Sequence, residues 1–271
     1  MLTTDHVMTL LDDPDPAIYA QFSQMIKQME PSAELLQQFE HVFETTLNDI
    51  TRQHAEKLIL WLREKLADKA LTAWFLNADE LPLEAVLIWL TQLYEPLFNT
   101  EMFRQNMNML SLRITDDLHK IRDTVEKLSV VNHHFYAYFS LMPDGATTID
   151  SLLIGTAFKT HQLHPATLHC IYRLVLEKSL HCTVKTPQID PEKIVLTETS
   201  AHGRRQLWIN PRNGGAITRI NAGETEFPYL SKQALLYRII EQLLIIHIAR
   251  DETDMAQRLT NIVSNLIIEK L

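Results

Sequence analysis

Glycine and cysteine are both scarce in this chain. Of 271 residues only six are glycine, and all six lie beyond residue 140. Two cysteines, Cys170 and Cys182, are too few for a disulfide framework, and neither belongs to a Cys-x-x-Cys pair of the redox or zinc type. Basic charge is also in short supply: residues 1–130 hold 11 Lys and Arg against 21 Asp and Glu, while the rest of the chain holds 14 against 13. No basic stripe with interleaved aromatics occurs, and an acidic surface repels phosphate, so we expect neither nucleic acid nor membrane as a partner. No uncharged apolar run approaches the roughly 20 residues that span a bilayer, and the first residues lack the basic start and apolar stretch of a signal peptide. The expected location is the cytoplasm.

What is present is helical periodicity. From Leu2 to about Phe139 apolar residues recur at spacings of three and four, as in Leu58, Leu62 and Leu66, or Leu83, Val86, Leu87 and Leu90. Breaks are predicted at Asp13–Pro16, Glu30–Ser32, Asn77–Pro82 and Glu95–Pro96. Asp15 before Pro16, and Ser32 three residues ahead of Leu35, read as helix caps. Beyond residue 140 the pattern changes. Helices over Thr148–Thr160 and Pro165–Leu180 lead into β-type runs at Lys193–Thr197, Arg205–Ile209 and Ala216–Ile220, separated by turns at Ala201–Arg204 and Pro211–Gly215. From Ser231 onward the helical period returns. One stripe is Leu235, Ile239, Leu243 and Ile246, and another is Leu259, Ile262, Val263 and Leu266, with a break near Asp251–Asp254. The expected fold is α+β and mostly α. It divides into a helical stack over residues 1–140, an α+β core with a small antiparallel sheet over 141–228, and a helical hairpin over 229–271.

Several short stretches resemble the SirB family of bacterial proteins. Leu10–Tyr19 (LLDDPDPAIY) is similar to that family's opening, and Leu93–Leu97 (LYEPL) to its mid-helical landmark. Leu163-His164-Pro165 with Leu168 and Tyr172 is similar to its central turn and helix, and Trp208–Gly215 (WINPRNGG) to its strand-end motif. The resemblance implies a transglutaminase-like, cysteine-proteinase-like core closed by tetratricopeptide-like helices. It also implies an inactive one. The active folds place a nucleophilic cysteine at a helix start, with a histidine and an aspartate supplied by neighbouring strands. The corresponding positions here are Pro165, Lys193 and Asn210. An ordinary lysine is protonated near neutral pH and accepts no proton, and a neutral amide cannot stabilise an imidazolium.

Strand geometry gives a separate expectation. A hairpin turning within Ala201–Arg204 pairs Val195 with Asn210 and makes Lys193 and Asn210 diagonal neighbours. For Asn210, Asn213 and Gly214-Gly215 a purely structural reading competes, because Asn-Pro-x-Asn-Gly is a strong turn former. Cys170, five residues into the helix, reads as a buried structural thiol, and with His164 and His169 it would line whatever pocket remains. The enzymatic alternative is a cysteine-dependent hydrolase or acyltransferase with a rearranged site on Cys170 or Cys182. His161, His164, His169 and His181 crowd one region, but their spacing matches no zinc motif, so no metal and no cofactor are expected. Phe135, Tyr136, Tyr138 and Phe139 read as core. The function expected is therefore regulatory or protein-interacting, with protein partners and no catalytic residues.

Overall fold

A computed structural model describes residues 4–76, 82–141, 147–200, 203–221 and 228–268. The predicted break at Asn77–Pro82 and the predicted turn at Ala201–Arg204 fall partly outside these residues, at 77–81 and 201–202. The fold is α+β and mostly α, with twelve helices among the described residues. The chain forms two compact units, one of Met1–Ala73 with Trp89–Phe98 and the other of Trp74–Ile88 with Asn99–Leu271.

The first unit begins with α1 (Thr4–Leu11), α2 (Pro16–Gln28) and α3 (Ala33–Thr45), and takes in most of α4 (Asp49–Leu76). The predicted caps are in place. The Asp15 side chain accepts from the Ala17 amide and Ser32 from the Leu35 amide, satisfying donors that a helix start otherwise leaves open. Val7, Leu11, Phe22, Ile26, Phe39, Val42, Leu58 and Leu62 share one core. A polar tie joins two helix ends: Asp12 Oδ1 accepts from Asn48 Nδ2 and, at 2.7 Å, from Thr51 Oγ1.

In the second unit the organising element is α10 (Pro165–Leu180). All eleven residues from Ala166 to Leu176 are buried, and a helix buried on every side must be surrounded. Its neighbours are α6 (Thr100–Leu118), α7 (Thr124–Tyr138), α8 (Ile149–Leu152), α11 (Lys232–Ala249) and a 3-10 turn at Pro211–Asn213. The sheet is an antiparallel meander of β3 (Ile194–Ser200), β4 (Gly203–Asn210) and β5 (Ala216–Asn221). A two-residue parallel pairing of β1 (Ser140–Leu141) with β2 (Gln162–Leu163) has no signal in the sequence, since strands this short carry no period. It flanks α9 (Ile154–Thr160). At the end α11 packs on α12 (Thr253–Ile268), and the break between them falls at the predicted place. His247 Nδ1 meets Glu252 Oε2 at 2.5 Å across that break.

The β3–β4 register differs from the sequence expectation. Val195 pairs with Trp208, not Asn210, and the pairing runs up to Ser200 and Gly203, so only residues 201 and 202 lie between the strands. The slip is two residues, which preserves the face every side chain occupies. It moves Lys193 from diagonal to directly beyond the Ile194–Ile209 pair, on the line of Asn210.

Candidate functional site

The corner of interest lies within the second unit and is built from the start of α10. Pro165 is the first helical residue, where its missing N–H costs nothing. The next free amide, that of Ala166, donates to His164 Nδ1 at 3.2 Å. His164 is itself held by its own amide donating to the Ser151 carbonyl at 3.0 Å, and Thr167 Oγ1 donates to Leu152 O at 2.9 Å. Of the N–H groups that would favour a thiolate at this helix start, the one at Pro165 is missing and that of Ala166 is engaged by an imidazole.

α10 packs against the 3-10 turn that follows Asn210. Within that turn Asn210 is a cap: its Oδ1 accepts from the Asn213 amide at 3.3 Å and its carbonyl accepts from the Gly215 amide at 2.9 Å. Lys193 points elsewhere. Its Nζ lies 2.8 Å from Asp190 Oδ2 and 5.7 Å from the centre of the Trp208 ring. Asn210 and Lys193 are therefore neighbours by register with side chains serving different local contacts. The loop between them and α10 is pinned at two further points, by Arg212 Nη1 to Glu192 Oε1 at 3.0 Å and by Arg238 Nη1 donating to Pro191 O at 2.6 Å.

His164, His169 and Cys170 follow one another along α10 but form no relay. His169 is buried, and its Nε2 sits 3.0 Å from Thr186 Oγ1. Burial, then the Arg238 and Arg173 charges, push its pKa down to about 3, against a small upward contribution from the Glu192 backbone. His164 is shifted the same way by burial, Arg238 and Arg212. Both imidazoles are held neutral. Burial drives the Cys170 thiol up to about 12, even with Arg173 and Arg238 opposing it. Cys182 is half-buried, and burial with the Glu177 charge takes it to about 11. Its neighbour His181 is the left-handed C-cap of α10 (φ 48°), directly after the predicted helix end at Leu180. Neither thiol hydrogen-bonds a histidine among the described residues.

Of the group that orders this corner, the sequence names Tyr136 as core and Tyr172 in a motif, but neither Asn132 nor the bonds they make. Tyr172 OH donates to Asn132 Oδ1 at 2.5 Å, Asn132 Nδ2 donates to Gly215 O at 2.9 Å, and Tyr136 OH donates to Pro211 O at 2.6 Å. Burial raises the phenol pKa of both Tyr136 and Tyr172, so both remain donors. These bonds join residues 40 to 83 positions apart, and no local pattern encodes such pairings.

A neutral buried histidine has a consequence for pH. The unfolded chain binds a proton on His169 near its ordinary 6.5 and the folded chain does not until about 3. The stability associated with the neutral form is therefore complete above 6.5 and is lost as pH falls through the interval toward 3. Between pH 7 and pH 5 the expected loss is about 2 kcal/mol, at roughly 1.4 kcal/mol per pH unit below 6.5. Urea titrations of wild type and His169→Gln at both pH values check it, the variant showing the smaller pH difference.

Among the described residues no cluster of three or more His, Cys, Asp or Glu could hold a metal ion. Among the same residues no helix is long and apolar enough to cross a membrane. The class of protein the fold defines is thus an α+β, mostly α chain whose second unit carries a helix buried on every side. No family model, no curated protein and no solved structure matches it.

Proposed function

We propose that this chain is a non-enzymatic scaffold, a divergent relative of the SirB-type transglutaminase-like proteins whose core serves regulation or protein interaction in the cytoplasm. The observation that carries this reading is the use made of the three framing positions. Pro165 starts a helix whose first free amide is capped by His164, Asn210 caps a turn, and Lys193 is paired with Asp190. The family relation rests on the motifs at residues 10–19, 93–97, 163–172 and 208–215.

The alternative on Cys170 or Cys182 requires a thiol that can ionise. A nucleophilic cysteine is a thiolate, stabilised by a helix N-terminus, a cation or a histidine. Cys170 is enclosed well inside α10, and the thiols of both cysteines are shifted away from ionisation. The test is a panel of fluorogenic amide, ester and acyl-transfer substrates with the purified protein. Turnover at the buffer rate is expected. Thiol-dependent turnover that disappears in Cys170→Ala or Cys182→Ala overturns the reading.

A further inference from the structure

At the opposite end of α10 from Pro165 there is a cavity of about 430 Å³, within the roughly 300–1,000 Å³ typical of small-molecule sites. Leu118, Leu180 and Leu196 give it an apolar side. Two charged side chains of opposite sign also line it, Lys127 on α7 and Glu198 on β3. Both are half-buried, and neither is ion-paired among the described residues. Ser179, also on the wall, is 3% exposed, and its Oγ has no hydrogen-bond partner among the described residues.

The backbone sorts the two charges further. Lys127 stands in the opening turns of α7, whose start reaches the cavity through Thr124; that end of a helix carries positive potential, although Asp123 caps the Val125 and Glu126 amides. α10 arrives from the other direction, and its last residues, Ser179 and Leu180, bring the carbonyl end with its negative potential. A cationic side chain on α7, an anionic one on β3 and the carbonyl end of α10 therefore meet around an apolar patch. We propose that this cavity binds a small zwitterion with an apolar side chain, of the α-amino-acid class, its carboxylate toward Lys127, its ammonium toward Glu198 and the carbonyl end of α10, and its side chain against the leucines. The site is separate from the Pro165–Asn210 corner and does not depend on whether that corner is inactive.

Cys182 lines the same cavity and supplies a reporter. Alkylation of Cys182 by iodoacetamide, followed by peptide mass spectrometry on the full-length protein, is measured with L-leucine, L-phenylalanine, leucinamide and 4-methylpentanoate. Leucine or phenylalanine at ten times its dissociation constant is expected to slow alkylation about tenfold and to raise the melting temperature. Leucinamide, without the carboxylate, and 4-methylpentanoate, without the ammonium, are expected to protect far less. Lys127→Met and Glu198→Gln, both at half-exposed positions, are expected to keep the wild-type circular dichroism and lose the protection. The proposal is overturned if neither amino acid protects Cys182, if the one-charge analogues protect equally, or if protection persists in both variants.

Discussion

Gly215→Ala is expected to lower the unfolding free energy by about 3–5 kcal/mol, while Gly214→Ala next to it is expected to cost only about 1 kcal/mol. Both glycines have positive φ, +58° at 214 and +71° at 215, so both substitutions carry the left-handed backbone penalty. The difference lies in what a Cβ would meet. At Gly214 there is nothing within 4 Å. At Gly215 it would stand 2.1 Å from Asn132 Oδ1 and 2.4 Å from its Cγ. Asn132 cannot swing aside cheaply, because its Oδ1 receives the Tyr172 hydroxyl and its Nδ2 donates to the Gly215 carbonyl. Moving it leaves enclosed polar groups without partners, at roughly 1–3 kcal/mol each. Equilibrium urea unfolding of the two variants, with unchanged m-values, checks the contrast. Similar losses at both positions would remove Asn132 from the account.

Tyr172→Ala is expected to cost about 3–5 kcal/mol, the range for deleting a large ring from a packed interior. The ring is fully buried, 4.9 Å from Phe135 and 6.0 Å from Tyr136 between centres, on the helix against which α6, α7, α8, α11 and the 3-10 turn pack. Tyr172→Phe separates the hydroxyl from the ring. It is expected to cost about 1–3 kcal/mol, because Asn132 Oδ1 then lacks its donor. Combining Tyr172→Phe with Asn132→Ala is expected to cost less than the sum of the single changes, since either one alone breaks the same bond. Additive losses would show that the 2.5 Å contact contributes nothing of its own.

Much of the architecture is written locally. Asp15 and Ser32 cap the helices where Asp-Pro and Ser-x-x-Leu said they would, because capping depends on residues two or three apart. The strands were recognisable by composition, and Asn210 as a turn former by its Asn-Pro-x-Asn-Gly context. The β3–β4 register was missed by two residues, since periodicity sets the face of a strand but not its end. The end of α10 at Leu180 was read correctly, while the left-handed conformation of His181 that caps it has no signature in the sequence. Least legible was the Asn132, Tyr136 and Tyr172 bonding to the WINPRNGG turn. Asn132 sits among ordinary helical residues, and its role depends on chain segments brought together only by folding. The bulk of Asn132 against Gly215 now explains that glycine on steric grounds, without reference to any reaction.

The most direct measurement is the pH dependence of alkylation at each cysteine in the native, ligand-free protein, resolved by peptide mass. The account predicts no reaction at Cys170 short of unfolding, and at Cys182 a slow rate that climbs without levelling up to pH 10, in keeping with a thiol near 11. A rate at either residue that reaches its plateau below pH 8 would reveal a native thiolate and contradict the claim that this core holds no nucleophile.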